Sequence, residues 1–411
     1  MSDIVLSSSV RQNLLSLQST ADLLSTTQTR LATGKKVNSA LDNPTNFFTA
    51  AGLDARANDI NNLLDGIGNG VQVLQAANTG ITSLQKLVDT AKSIANQALQ
   101  TTSGYTSKAN VAFTGAVAAN TGVSTADDLS GGATASKLKA AAFNFTTTAG
   151  TKTITIGDGT GGTVKSLADF NKALSDGGIN LTASLTGSNE LTFTSTNDAA
   201  SQTITTATAV STVTTANSVQ IAVLAANASA GTVAAAVPDA VSQSTRAGLV
   251  SQYNQIIDQI KTTAQDSSFN GINLLNGDQL KLTFNETGKS TLNIQGVTFD
   301  PAGLGLASLT AGTDFLDNGS TNTVLSALNT ASSTLRSQAS TLGSNLSIVQ
   351  IRQDFSKNLI NVLQTGSSNL TLADTNEEAA NSQALATRQS IAVSALALAN
   401  QSQQSVLQLL R

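Results

Sequence analysis

The chain opens on a periodic stretch. Val10, Leu14, Leu17, Ala21, Leu24, Gln28 and Leu31 follow one another at spacings of four and three, the heptad seam of a helix that packs on another helix. This predicts a first helix over about residues 7–33, stopped at Gly34, with Lys35 and Lys36 at its negative end. A linker leads to Asp42-Asn43-Pro44, where Asn43 can cap and Pro44 can open the next helix. The seam Ile60, Leu64, Ile67, Val71, Leu74, Asn78, Ile81, Gln85, Val88 then keeps its phase through Gly66, Gly68, Gly70 and Gly80. The unbroken phase predicts one long helix to about residue 100, loosened near residues 66–70.

From residue 101 to 238 the pattern shifts to Thr, Ala and Gly. Residues 151–156 alternate with period two, and Gly157-Asp158-Gly159 turns. Leu167, Phe170 and Leu174 share one face of a short helix over residues 166–175. Residues 180–185 and 190–195 read as strands around the turn Gly187-Ser188-Asn189. The flanks, 105–149 and 199–237, are compatible with strand, short helix or loop. Helix returns over about 239–265, with Leu249, Tyr253, Ile256 and Ile260 on one face, and Phe269-Asn270-Gly271 closes it. A hairpin is expected over 279–285 and 290–299, then a helix over 320–363 with the seam Leu328, Leu335, Leu342, Leu346, Val349, then a loop at 366–369. A last helix over about 374–410 carries the stripe Leu385, Gln389, Ala392, Leu396, Ala399, Gln403, Val406, Leu410. The fold class is therefore mainly α with a β-rich insertion: terminal helices forming a coiled-coil or helical-bundle core, a small β-hairpin in the bundle, and a β-α-β surface domain.

Composition sharpens this picture. Of 411 residues, 40% are hydrophobic, but only 3% are aromatic and 12% charged, against roughly 25% charged in an average domain. Such a mix suits long helices on thin Ala/Leu seams. The terminal helices are nearly free of charge: Asp22 is the one ionised residue between Gln12 and Thr29, and there is none between Gln389 and Leu410. Helices at the chain ends can bury such stripes only on each other or on another copy, so the ends are expected to be disordered in the monomer and to fold on assembly.

Candidate chemistry is sparse. With no Cys and no His, thiol nucleophiles, imidazole bases, disulfides and the usual zinc ligand sets are excluded. A net charge of -4 makes nucleic acid a poor partner. The N-terminal segment lacks the basic and apolar regions of a Sec signal, and no apolar run reaches the ~18 residues of a membrane span. Gly157-Asp-Gly-Thr-Gly-Gly162 lacks the Lys-[Ser/Thr] of a phosphate loop and reads as a turn. Asp127-Asp128 and Glu377-Glu378 read as a solvated face and a helix start. No catalytic, cofactor-binding or metal residues are expected.

Three stretches carry a family resemblance. Residues 29–44, Thr-Arg-Leu-Ala-Thr-Gly-Lys-Lys-Val-Asn-Ser-Ala-Leu-Asp-Asn-Pro, resemble the bacterial flagellin pattern Arg-Leu-x-x-Gly-x-x-[Ile/Val]-Asn-Ser-Ala-x-Asp. Residues 394–411, with Ala-Asn-Gln and Leu409-Leu410-Arg411, resemble the flagellin C-terminus, and Ser268-Phe-Asn-Gly-Ile-Asn-Leu-Leu275 resembles the turn before its hairpin. The similar regions cover about residues 1–100 and 240–411.

The resemblance implies a structural subunit, not an enzyme, that polymerises into the extracellular flagellar filament for motility. Residues 1–34 and 370–411 would form an inner coiled-coil polymerisation domain lining the export channel. Residues 35–100 and 239–369 would form an outer helical bundle with its hairpin at about 279–299, and residues 101–238 the variable surface domain. In the best-known enteric flagellins the variable domain follows the hairpin, whereas here it precedes it. The assembly interface would include Val10, Leu14, Leu17, Leu24, Leu31, Asn38, Leu385, Leu396, Val406 and Leu410. Implied partners are further copies of the chain, an export chaperone, the export apparatus, and hook-associated and cap proteins, with secretion without a cleaved signal peptide and no membrane insertion. A hook–filament junction protein of related architecture, or a filament protein with an adhesive surface domain, is the alternative. In the family, the segment matching residues 88–97 binds the flagellin-sensing Toll-like receptor through Leu-Gln-Arg-x-Arg-Glu-Leu. This chain has Val88-Asp-Thr-Ala-Lys-Ser-Ile94. Thr90 lacks the guanidinium fork of Arg, so weak or absent receptor activation is expected.

Overall fold

The computed structural model describes residues 8–102, 104–114, 120–187, 189–207, 213, 217–224 and 231–409. Helix α1 (Ser8–Thr33) is followed by α2 (Pro44–Gln100), which is continuous. Asn43 caps α2, its Oδ1 accepting from the Asn46 amide at 3.0 Å, and Pro44 occupies the first position, where a missing N–H costs nothing. The chain then forms β1 (Tyr105–Ser107), β2 (Asn110–Thr114), β3 (Ala142–Thr147), β4 (Gly150–Thr155), α3 (Leu167–Asp176), β5 (Leu181–Leu185), β6 (Glu190–Ser195), β7 (Thr203–Ala207), β8 (Ser218–Leu224), β9 (Thr232–Ala234) and β10 (Val237–Pro238). Helix α4 (Ala240–Asp266), strands β11 (Gln279–Thr283) and β12 (Thr291–Gln295), and helices α5 (Asn318–Thr371) and α6 (Thr375–Leu409) complete it.

The glycines of α2 do not loosen the helix. A Cβ at Gly70 would overlap the Leu282 side chain, and one at Gly80 would overlap Ser267 and Leu275. These two positions are small so that the hairpin and the turn after α4 can lie directly on the helix backbone. Where the sequence pattern suggests a loop at 366–369, α5 runs on to Thr371. The weak helix formers Gly366, Ser367, Ser368 and Asn369 are held by tertiary packing, with Ser367 and Thr371 buried and Thr371 Oγ1 donating to the Ser367 carbonyl at 3.0 Å. Propensity loses to packing here.

The chain divides into two compact units. One comprises residues 1–72, 280–294 and 345–411; the other comprises 73–279 and 295–344. In the first, Ala57 and Ile60 of α2 pack on Ile360 and Leu363 of α5, and α1 packs along α6. Arg56 of α2 pairs with Glu286 at the hairpin tip at 2.8 Å, and the Arg352 guanidinium stands 5.7 Å over the Phe284 ring, a cation–π contact.

The second unit contains a β-rich body. Its strands form two four-stranded sheets, ordered β5-β6-β2-β9 and β4-β3-β8-β7. The expected strand–helix–strand order around α3 is present, but β4 and β5 belong to different sheets, so α3 bridges the two layers. Ser166 and Asp169 close a reciprocal capping box at its start, and Phe170 and Leu174 are buried on its inner face. The flanks left open by the sequence supply β1, β2, β3, β7, β8, β9 and β10, with β7 and β8 paired in parallel. Phe113, Phe143, Phe145, Phe170 and Phe193 meet at the centre, mostly edge to face, with Phe145 and Phe193 centroids 5.2 Å apart. Nearly half of the chain's 12 phenylalanines are thus spent on this one core. The turn Gly187-Ser188-Asn189 lies partly outside the described residues.

Candidate assembly surface

The two chain ends lie side by side. Arg30, near the end of α1, bonds Glu378, near the start of α6, at 3.3 Å, so the helices run antiparallel. The stripe of α6 is the one its sequence spells: Leu385, Gln389, Ala392, Leu396 and Ala399 are each half-buried, in register with buried Glu378. The α1 seam differs in part. Val10 is buried and Leu17, Ala21 and Leu24 are half-buried, but Leu14 and Leu31 are 44% and 40% exposed. Thr20 and Thr27 take the inward places between them. Threonine can do so within a helix because its hydroxyl bonds back to the preceding turn; that of Thr20 donates to the Ser16 carbonyl at 2.8 Å. A pattern that counts only apolar residues misses both positions. The Val406 side chain and all of Leu410 lie outside the described residues.

This pair is thinly packed. Among the described residues of α1 and α6, Val10 is the one apolar side chain that is fully buried. Leu15 and Leu23 on α1, and Ile391, Val393 and Leu398 on α6, are more than half exposed. Helix α5 carries a second stripe in the same unit: Ile348, Ile351, Phe355 and Val362, at spacings of three, four and seven, are exposed beside the buried Val349, Ser356 and Leu363. Such spacing keeps the four on one side of the helix, away from the face already packed.

The linker between α1 and α2 is tightly built. Gly34 ends α1 at φ +68°, a conformation that favours glycine. The Lys36 amide then donates to the Thr371 carbonyl at 2.7 Å, and the Ala373 amide to the Gly34 carbonyl at 3.0 Å, so the α1–α2 and α5–α6 connections hold one another. Asp42 explains the Asn-Ser-Ala-x-Asp spacing. Its Oδ2 accepts the amides of Asn38 at 2.9 Å and Ser39 at 2.8 Å, and the Ser39 hydroxyl at 3.2 Å. The Asn38 side chain in turn donates to the Lys35 carbonyl at 2.9 Å. The Ser39 and Asn38 amides hold the Asp42 carboxyl below its ordinary range. Asn38 therefore shapes the linker here.

The remaining acidic pairs are accounted for structurally. Glu378 is buried against Arg30, a partner that sequence spacing could not reveal. Asp128 accepts the Ser130 amide and hydroxyl within a turn. Asp158 accepts from Thr160 in the same way, so the glycine-rich segment is a turn. Among the described residues no three acidic side chains gather as a metal site, and no helix is long and apolar enough to cross a membrane. Thr90 is exposed on α2 and donates to the Lys86 carbonyl at 2.9 Å.

The fold is thus that of a mainly helical protein whose first and last helices form one antiparallel pair and whose middle carries an inserted β-rich body. Both ends of the chain match the bacterial flagellin family: its N-terminal helical region matches residues 5–113, and its C-terminal helical region matches residues 325–410. Flagellins FljM and FljK of Caulobacter vibrioides are each 31% identical to it over 165 residues, 40% of this chain and 59% of theirs. Flagellin FljJ of the same organism is 29% identical over 184 residues, 44% of this chain and 66% of its own length. The chain thus spans about 59% of the length of the first two relatives. The family is one of structural proteins.

Proposed function

We propose that this protein is a subunit of the extracellular flagellar filament and polymerises through its terminal helices. The observation that carries the reading is the thinness of the α1/α6 pair, with Val10 its one fully buried apolar side chain among the described residues. Burying a leucine stabilises by roughly 1.5–3 kcal/mol, so the five large apolar side chains left more than half exposed on these helices represent a substantial unrealised gain. Neighbouring copies supply the cover. The exposed stripe on α5 adds a second contact face, and stripes at different places on one chain favour head-to-tail, open-ended assembly over a closed dimer.

In this reading residues 1–34 and 370–411 form the inner polymerisation domain, 35–100 and 239–369 the outer bundle, and 101–238 the surface domain. The terminal helices fold on assembly and line the channel, where uncharged Ser, Asn and Gln faces bind passing chains weakly. Leu14 and Leu31, with Leu15, Leu23, Ile391, Val393 and Leu398, contact neighbouring copies; Val10, Leu17, Leu24, Leu385 and Leu396 hold together the α1/α6 pair that presents them, Val406 and Leu410 continue the α6 stripe, and Asn38 shapes the linker. An export chaperone, the export apparatus and hook-associated and cap proteins are the further partners. Deleting residues 376–411 should abolish filaments seen by electron microscopy while the β-rich body stays folded. Filaments from that truncated chain would overturn the proposal.

A further inference from the structure

The β-rich body meets α4 and the start of α5 at a joint made of polar contacts. The buried apolar cluster of the body runs from Ala109 to Val223 and contains no described residue of α4 or α5. Beside the joint lies an open cleft of about 560 Å³, lined by Asn180, Asp198 and Asn217 of the body and by Thr313, Asp317 and Ser320 before and within α5. No apolar side chain described on α4 or α5 joins the body's cluster to fix the angle of the joint. Its geometry must come from specific hydrogen bonds.

Two sets of bonds meet there. On the stem side, Arg246 of α4 is 1% exposed. Its guanidinium donates to three backbone carbonyls: Nη1 to Phe315 at 2.7 Å, Nη2 to Thr101 at 3.0 Å and Nε to Thr102 at 3.2 Å. Thr101 and Thr102 are where the chain leaves α2 for the body. Phe315, at φ +54°, belongs to the loop that delivers Asp317. A planar fork spreads its donors over three nitrogens and so reaches these two segments at once, where an ammonium donates from a single point.

On the body side, the buried Asp317 carboxylate accepts the Ser320 amide at 2.8 Å and the Ser201 hydroxyl at 2.5 Å. Ser201 itself accepts from Asn217 Nδ2 at 2.7 Å. The relay Asn217 to Ser201 to Asp317 therefore runs from β-body loops into the cap of α5, and a charged acceptor strengthens its last bond. Nearby, a Cβ at Gly319 would overlap the Asp198 carbonyl, so the two backbones touch. Burial, and then the Asp317 charge, push the adjoining Tyr105 hydroxyl above its ordinary range.

We propose that Arg246, Asp317 and Ser201 form a latch that holds the inserted β-body at one fixed orientation on the helical stem. Released, the body remains folded about its own phenylalanine core and pivots on the β1–β10 ribbon, where Tyr105 pairs with Pro238 and Ser107 with Val237. The latch acts in the subunit itself and does not depend on the assembly proposed above.

The test uses the full-length chain, whose lack of cysteine allows a clean pair of spin labels at Lys172→Cys on α3 and Gln252→Cys on α4. Ser201→Ala, Ser201→Asp and Arg246→Lys are then compared by pulsed electron resonance. A narrow distance distribution is expected in the parent and about a twofold broader one in Ser201→Asp, with Ser201→Ala between them and helix and sheet content unchanged by circular dichroism. Distributions as narrow as the parent's in both Ser201 variants would overturn the latch. Loss of β-structure in either Ser201 variant would overturn it equally, because it would make these residues part of the body's fold. Arg246 is buried and Arg246→Lys can unfold the stem, so the decision rests on the Ser201 pair.

Discussion

Arg30 and Glu378 lie 348 residues apart in the chain and 3.3 Å apart in space. Glu378 is buried at 8% exposure, and Arg30 Nε has no hydrogen-bond partner of its own. The pair joins the first and last helices of the chain where both enter the connecting segments. Removing the arginine leaves a buried carboxylate uncompensated. Arg30→Ala is therefore expected to cost about 1–3 kcal/mol per subunit, less than for a fully buried pair because the arginine is partly solvated. Thermal unfolding of the full-length chain followed by circular dichroism checks this, and an unchanged midpoint would show that the pair adds nothing.

The helical glycines separate into two kinds. Gly66 has nothing within 4 Å of its missing Cβ, whereas Gly80 faces Ser267 and Leu275. Gly66→Ala should stabilise by about 1 kcal/mol through helix propensity alone. Gly80→Ala gains the same propensity but forces two packed side chains to move, at about 1–3 kcal/mol, and should come out destabilising. Urea midpoints of the two variants are expected to shift in opposite directions.

Asp42 gives the linker an acid limit. Its carboxyl is held below the ordinary value of 3.8 by the Ser39 and Asn38 amides. A depressed value means that the carboxylate's contribution is complete above that ordinary value. It is lost as pH falls through the lower value of the folded loop. Limited proteolysis between residues 35 and 43 with an acid-active protease should thus accelerate only at pH below 3.8. Asp42→Asn should be cleaved faster already at higher pH; a variant cut at the parent's rate would remove Asp42 from this role.

The two tyrosines should ionise late. Burial pushes Tyr253 up to about 12, with Asp314 adding to it, and burial with Asp317 raises Tyr105. Raised values favour the neutral phenol in the fold, so that stabilisation is intact below the ordinary 10.0 and is lost as pH rises through the folded value. Phenolate absorbance at the ordinary midpoint should be smaller in the native chain than in denaturant, where it is half-developed. Equal titration curves in the two states would contradict the burial of both rings.

The sequence by itself determined the order of helices and the stripe on α6, because a period of 3.6 survives in any one-dimensional reading. Leu385, Gln389, Ala392, Leu396 and Ala399 could be placed on one face from spacing alone. It also located the cap at Asn43, whose chemistry is local, and the approximate starts of the helices that Ser166 and Asp239 turn out to cap. Tertiary structure decided what spacing cannot encode. Thr20 and Thr27 replace Leu14 and Leu31 on the inner face of α1, and Thr20 shows how: a threonine that bonds its own helix is apolar enough to bury. Residues 366–369 stay helical because packing outweighs their propensity. The strands flanking α3 are parted between two sheets because each pairs with its hairpin neighbour, β4 with β3 and β5 with β6, and not with the other across the helix. Arg246, unremarkable in the sequence, becomes the centre of a joint because three carbonyls from two distant segments are delivered to it, and only the folded chain brings them within 3.2 Å.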